Sequence, residues 1–351
     1  MKVVVDDKIP YIKETLERIV DEVVCLPGSS FTPAVVRDAD ALIIRTRTCC
    51  NRNLLGGSKV KFIATATIGF DHIDVDYCKE AGIVWKNAPG CNASSVVQYV
   101  QSVLLILKEL KGGDLHHLTL GVVGVGNVGS KVVGMAQKWG LRVLQNDPPR
   151  ECSERNDKVV NHFVPLKQLM DECDIISFHV PLYRDGIYKT FHLGNEEFFS
   201  SLKKRPFIIN TSRGEVIETK ALLSAIDNGQ ICNAAVDVWE NEPKINLDLL
   251  NKVLIGTPHI AGYSADGKAN ATRMSLYSFC HFFGLNHDYS ILPPAPSSDI
   301  VKASSQEEAL LKIYDPRRDS EWLKQQPDKF EYFRGNYPLR READAYQIEI
   351  V

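Results

Sequence analysis

Three things are missing from this chain, and each absence closes off a class of protein. It has no long apolar run: the strongest stretches, such as "VLLIL" at 103–107, fall far short of the roughly 20 residues a membrane helix needs. It has no surplus of one charge. A formal net charge of -3 gives no global field to hold nucleic acid or an anionic membrane, so only a local basic patch could do so. It also has no paired cysteine pattern. The nine cysteines are odd in number and scattered, and no C-x-x-C occurs, which argues against a disulfide framework or a zinc site. Reduced thiols in a cytoplasmic protein are the expectation. Cys91 lies near a predicted helix start, where a thiol can become reactive, although simple packing explains it as well. The opening "MKVVVDD" reads as a strand and lacks the basic, apolar and small-residue succession of a signal peptide. Repeats and low-complexity tracts are lacking too.

What is present is 351 residues, 44% of them hydrophobic, enough for two or three domains. Short β-rich runs alternate with amphipathic segments. "KVVVD" (2–6), "ALIIRT" (41–46), "KFIATA" (61–66) and "GIVWKN" (82–87) predict strands, and 11–20 and 75–82 predict helices. A long helix follows, capped by Asn92 or Ser94 and stopped at Gly112 and Gly113. A second series supplies six more strands, from "LTLGVVG" (118–124) to "VLIGTP" (253–258). The pattern predicts an α/β protein with two Rossmann-like, doubly wound parallel sheets and a cleft between them. An amphipathic helix over about 264–284 leads the chain back to the first unit. "ILPPAPSSD" (291–299) reads as a linker, and the last fifty residues as a small separate α+β unit.

"GVVGVGNVG" fits G-x-G-x-x-G with Gly124, Gly126 and Gly129, and it joins a predicted strand to a predicted helix. Gly124 allows the tight turn, Gly126 the approach of a pyrophosphate, and Gly129 close packing of helix on strand. The N–H groups of Asn127 and Val128 would face the pyrophosphate. Asp147, eighteen residues beyond Gly129, closes the next strand. It would accept hydrogen bonds from ribose hydroxyls and repel a 2′-phosphate, so NAD is expected over NADP. Arg150 nearby weakens that preference.

Three later strands end in "IINTSRGEVI", "AAVDVWENEP" and "IGTPHIAGYSADG", which carry Arg213, Glu242 and His259. An arginine, a carboxylate and a histidine at the carboxyl ends of parallel strands suffice to oxidise a 2-hydroxy acid beside NAD. These ordered motifs, spread over about 1–285, resemble the D-isomer-specific 2-hydroxyacid dehydrogenases. The resemblance makes His259 the general base, Glu242 the residue that fixes its tautomer and favours its protonated form, and Arg213 the grip on the carboxylate and the C2 oxygen. It also makes Thr67, Ile68 and Gly69 a backbone cradle for the substrate carboxylate, and puts Asp237 near the nicotinamide carboxamide.

Further stretches, including "PLYRDGIYKTFHL", "IYDPRRDS" and "FEYFRGNYPLRRE", resemble the branch of that family that oxidises 4-phosphoerythronate in bacterial vitamin B6 synthesis. The branch implies a discontinuous substrate domain (1–92 and 260–286), an NAD domain (93–259) and a C-terminal domain (287–351) that forms a homodimer. It implies substrate contacts at Thr46, Thr67 and Tyr263. Cofactor contacts fall at Asp147, Val180, Thr211, Ser212, Arg213, Asp237 and Gly262, with Val180 able to offer backbone only. Charge and placement nominate Arg45 or Arg47 for the phosphate, and Arg340 and Arg341 as a second pair that would otherwise make interface ion pairs. No metal, nucleic acid or membrane partner is expected. A glycerate, lactate or 3-phosphoglycerate enzyme, or an NAD-sensing corepressor, are the alternatives.

Overall fold

In a computed structural model of the protein, residues 1–154, 162–286 and 291–351 are described. They form two compact units. One joins Met1–Asn92 to Ser264–Pro296, and the other joins Ala93–Tyr263 to Ser297–Val351.

The first unit is built on β1 (Lys2–Asp6), β2 (Glu22–Leu26), β3 (Ala41–Ile44), β4 (Phe62–Thr65) and β5 (Val84–Lys86). They lie all parallel in the order β2-β1-β3-β4-β5. Both faces are covered, which is why these strands read as continuous apolar runs. Val3, Val5, Ala41, Ile43 and Phe62 pack with Leu276 and Phe279 of the helix Ala265–Phe283. Val4, Leu42, Ile44 and Ile63 pack with Val36, Leu54 and Cys78 on the other side. That long helix has the predicted bounds because its ends are chemically marked. The Ser264 hydroxyl accepts from the Gly267 N–H at 2.8 Å, and Gly284 follows with φ +65°. Cys91 is buried in a small apolar cluster with Ala88 and Ala271.

The second unit carries β6 (Thr119–Val123), β7 (Arg142–Asn146), β8 (Ile175–Phe178), β9 (Phe207–Asn210), β10 (Asn233–Val236) and β11 (Ile255–Gly256). Their order is β7-β6-β8-β9-β10-β11, all parallel. The winding reverses between β6 and β8, so the carboxyl ends of those two strands mark the crevice where such sheets bind ligands.

Several expectations need correction. β2 was not anticipated. The first helix spans Ile12–Leu16 rather than 11–20. Neither predicted cap serves the helix Ala93–Lys111: Asn92 Oδ1 has no hydrogen-bond partner, and Ser94 lies inside the first turn, where its hydroxyl accepts from Lys131 Nζ. Residues 260–263 stay with the second unit, since Ile260 and Ala261 donate their N–H groups to Asp237. The stretch 291–296 stays with the first, where Arg273 donates to the Ile291 carbonyl.

The C-terminal segment is not free-standing. It adds a two-stranded parallel sheet of β12 (Ile300–Ala303) and β13 (Gln347–Ile350). Leu310, Leu311 and Tyr314 enter the core on one face of the six-stranded sheet, and Leu323 and Phe330 enter the core on the other. The helix Pro316–Gln325 closes the β11 edge: the Ser320 hydroxyl accepts from the Gly256 N–H at 2.9 Å, and Lys324 donates to the Val253 carbonyl.

Candidate active site

Each glycine of the nucleotide motif has a spatial reason. Gly124 has φ +85°, and an added Cβ would lie 2.8 Å from the His179 carbonyl. At Gly129 a Cβ would lie 2.0 Å from the Gly124 oxygen, whereas at Gly126 it would meet nothing within 4 Å. The backbone at Gly126 is therefore open to a close ligand. The N–H groups of Asn127 and Val128 have no acceptor among the described residues and precede the helix Gly129–Lys138. Such a turn suits a pyrophosphate.

Asp147 follows β7 and is braced by two backbone donors, Val125 N–H at 2.8 Å and Arg150 N–H at 3.1 Å. The Arg150 guanidinium is committed to Glu154 Oε1 (2.6 Å) and to the Val125 carbonyl. Its donors are thus engaged by the protein, which lessens the pull it can exert on a 2′-phosphate.

The turn after β9 is folded by Asn210. Its Oδ1 accepts from both the N–H and the hydroxyl of Ser212, and its Nδ2 donates to the Arg213 carbonyl at 3.0 Å. Ser212 is buried, and its hydroxyl is spent there. Arg213 is half-buried, with Nη1 on the Ser212 carbonyl at 2.8 Å. At Gly214 a Cβ would sit 2.0 Å from the Trp239 carbonyl, so only glycine lets this turn meet the loop that holds Glu242. Thr211 Oγ1 pairs with His179 Nδ1 at 3.2 Å, and Ser177 Oγ pairs with His179 Nε2 at 2.8 Å. Burial pushes the His179 imidazole down to about 3, so it is neutral. His179 was not singled out from the sequence; its place between a β8 end and the glycine turn was the available signal. Val180 is half-buried and turns its Cγ1 toward Gly124.

His259 and Glu242 form a pair, with Nδ1 to Oε2 at 2.8 Å. The other carboxylate oxygen accepts from the Trp239 N–H at 2.9 Å. Burial pushes the Glu242 carboxyl up, but the hydrogen bond and charge of His259, the Trp239 N–H and the charge of Arg334 outweigh it and hold it below the usual range. An ionised Glu242 makes Nδ1 the donor and leaves the Nε2 lone pair free. His259 has φ +56°, strained for a residue with a side chain. Asp237 holds it there. Its carbonyl accepts from the His259 N–H at 2.8 Å, and its carboxylate accepts from Thr257 Oγ1 (2.6 Å), Ile260 N–H (2.8 Å) and Ala261 N–H (2.9 Å). Asp237 is only 1% exposed, so its carboxylate is spent on the His259 loop. Burial raises its carboxyl, with those donors and the His259 charge opposing. Gly262 and Tyr263 complete this loop; both are half-buried.

The C-terminal segment reaches the same loop through two arginines. Arg340 is 6% exposed, donates to the Ala261 carbonyl at 2.6 Å and to Ser95 Oγ, and stacks over Tyr314 at 4.1 Å. Its burial and these partners make it an internal brace of the unit. Arg341 lends its carbonyl to Gln98 Nε2. Arg334, to which the sequence assigned no specific contact, donates Nε to the Tyr263 hydroxyl at 3.2 Å, with Nη1 4.0 Å from Glu242 Oε2.

In the first unit, the N–H groups of Thr67, Ile68 and Gly69 have no acceptor among the described residues. Three consecutive donors without a protein acceptor are compatible with the cradle expected there. Their carbonyls and hydroxyl are tied back: Asn87 Nδ2 donates to the Ile68 carbonyl at 2.7 Å, and Thr67 Oγ1 to the Gly69 carbonyl at 2.8 Å. Past the end of β3, Thr46 and Arg47 are exposed, and Arg45 donates weakly to the Lys8 carbonyl at 3.4 Å.

Comparison with known proteins places the chain among its relatives. The D-isomer specific 2-hydroxyacid dehydrogenase NAD binding domain matches residues 98–261, and a domain of unknown function matches 294–351. The chain is 64% identical to an erythronate-4-phosphate dehydrogenase of Bacteroides thetaiotaomicron over 99% of both chains. It is 42% identical to those of Porphyromonas gingivalis and Escherichia coli O157:H7, over 99% of this chain and 95% and 94% of theirs. Among solved structures, D-lactate dehydrogenase from Aquifex aeolicus with NAD and lactic acid has a TM-score of 0.66 at 26% identity, covering 80% of this chain and 95% of that one. NAD-bound 3-phosphoglycerate dehydrogenase of Entamoeba histolytica has 0.67 at 25%, covering 83% and 97%. With full-length relatives this similar and an NAD-type sheet that carries the histidine–glutamate pair, the chain belongs to the erythronate-4-phosphate dehydrogenases, within the D-isomer specific 2-hydroxyacid dehydrogenase family.

Proposed function

We propose that the chain oxidises 4-phospho-D-erythronate at C2 to 2-oxo-3-hydroxy-4-phosphobutanoate, with NAD as acceptor, in bacterial pyridoxal 5′-phosphate synthesis. The observation that carries this reading is His259, set in a left-handed backbone with Nδ1 on the ionised Glu242. His259 Nε2 takes the C2 hydroxyl proton, and Glu242 balances the imidazolium that forms. NAD held by the glycine turn and Asp147 would supply the acceptor for the hydride released from C2. Arg213 steadies the carboxylate and the C2 oxygen with its planar fork. The N–H groups of 67–69 take the carboxylate, while Thr46, Tyr263 and Arg45 serve the rest of the substrate. Gly124, Gly126, Asn127, Val128 and Gly129 hold the pyrophosphate, and Asp147 holds the ribose. Val180, Thr211, Ser212 and Gly262 line the cofactor, with Thr211 the one that can add a hydroxyl, since that of Ser212 is held by Asn210. Asp237 acts through the loop it anchors.

On this reading the first unit is the substrate domain, 93–263 the NAD domain, and the C-terminal segment the homodimer contact. Exposed Leu339, Ile350 and Val351, and a sheet of only two strands, support that last role. No helix among the described residues is long and apolar enough to cross a membrane. We place the enzyme in the cytoplasm, where the buried thiols stay reduced; burial raises Cys78 to about 11 and Cys173 to about 12.

His259→Ala tests the mechanism. NADH formation should fall by roughly 10²–10⁴-fold, the usual worth of a general base, while NAD affinity measured by titration is kept. Full turnover in that variant would remove His259 from the reaction.

A further inference from the structure

A phosphorylated 2-hydroxy acid is anionic at both ends, and Arg213 provides for only one of them. A second guanidinium lies beside the catalytic pair, and it comes from the C-terminal segment. Arg334 is held by Tyr263: Nε donates to its hydroxyl at 3.2 Å, and the guanidinium carbon lies 5.9 Å from its ring centroid. Its carboxylate neighbours stay beyond hydrogen-bond length, Glu242 at 4.0 Å and Glu331 at 3.8 Å. Glu242 is already engaged by His259 and the Trp239 N–H. Nη2 has no acceptor among the described residues, and the side chain keeps 23% of its surface.

Both carboxylates lie at ion-pair distance and compensate the charge, but neither takes a hydrogen bond, so the guanidinium keeps donors open to a further acceptor. A phosphate suits that place well, because a planar fork can give it two parallel hydrogen bonds. We infer that Arg334 binds the phosphate of the substrate and so discriminates phosphorylated from unphosphorylated 2-hydroxy acids. This rests on the substrate class proposed above. It also gives the C-terminal segment a part in specificity, with Tyr263 as the residue that aims the guanidinium.

The test compares kcat/KM for 4-phospho-D-erythronate with that for D-erythronate, in wild type, Arg334→Gln and Arg334→Lys. In Arg334→Gln the ratio should fall by about 10- to 150-fold, the range for hydrogen bonds to a charged group, mainly through KM for the phosphorylated acid. Arg334→Lys keeps the charge without the fork and should fall less. If both substrates lose activity by one factor and the ratio holds, Arg334 serves only the Glu242–His259 pair and the inference is overturned. A glutamine variant with unaltered kinetics overturns it too. Should that variant fail to bind NAD, the lysine variant decides: a severalfold lower ratio supports the assignment, an unchanged one overturns it. A wild-type enzyme that cannot oxidise 4-phosphoerythronate would instead sink the proposed function, and this inference with it.

Discussion

Glu242 shows how single residues carry this site. It is largely enclosed, yet its partners keep its carboxyl below the ordinary glutamate value of 4.5. A depressed folded value means that its contribution to stability is fully present above 4.5 and is lost as pH falls through the lower folded value. The difference in unfolding free energy between wild type and Glu242→Gln, measured by denaturant titration, should therefore shrink as pH drops below that range. A difference independent of pH would show that Glu242 is not ionised in the folded protein. Asp147 yields a second residue-scale outcome. With Arg150 committed to Glu154, Asp147→Ala should weaken NAD use by roughly 10- to 100-fold, from the loss of charged hydrogen bonds, and bring NADP close to parity. A retained NAD preference would move ribose recognition elsewhere. Arg213, Glu242 and His259 were legible as types in order at strand ends. The commitment of the Asp237 carboxylate to the His259 loop was not, because its three donors come from residues twenty or more positions away.

The elements were legible where the sequence marks their ends. Ser264 and Gly284 bound one helix, and Gly124 and Gly129 set the strand–turn–helix at the nucleotide site. Where ends are unmarked, tertiary context decided. β2 is an edge strand with no fully buried residue, and Asn92 precedes a helix without capping it. The glycine turn allows a sharp test. In Gly129→Ala the new Cβ would meet the Gly124 oxygen at 2.0 Å, so the turn must open. The expected loss is about 1–3 kcal/mol of stability, typical of overpacking, together with a tenfold or greater loss of NAD affinity by titration. Normal affinity with normal stability would mean that the helix and turn are not packed this way.

On the scale of the whole molecule, the C-terminal segment is where reading from sequence fell shortest. Its composition suggests an appendage behind a linker, with Arg340 and Arg341 as phosphate contacts or interface ion pairs. Instead Arg340 is buried against Tyr314, and Arg334 stands at the catalytic loop, a placement that depends on contacts with residues about seventy positions earlier. Leu310, Leu311, Tyr314, Leu323 and Phe330 belong to the cores around the NAD-type sheet. At roughly 1.5–3 kcal/mol for each large side chain, their removal approaches the whole stability of a typical domain. A chain ending at 296 should therefore fail to fold cooperatively by thermal melting and fail to bind NAD. A stable, NAD-binding truncation would restore the picture of a detachable dimerisation module.

The most direct test of the account as a whole is the initial rate of NADH formation by the full-length enzyme with 4-phospho-D-erythronate, 3-phosphoglycerate, D-glycerate and D-lactate. A kcat/KM highest for 4-phospho-D-erythronate, and far higher than for the unphosphorylated acids, is the predicted result. Equal or greater efficiency with any of the other three acids would contradict it.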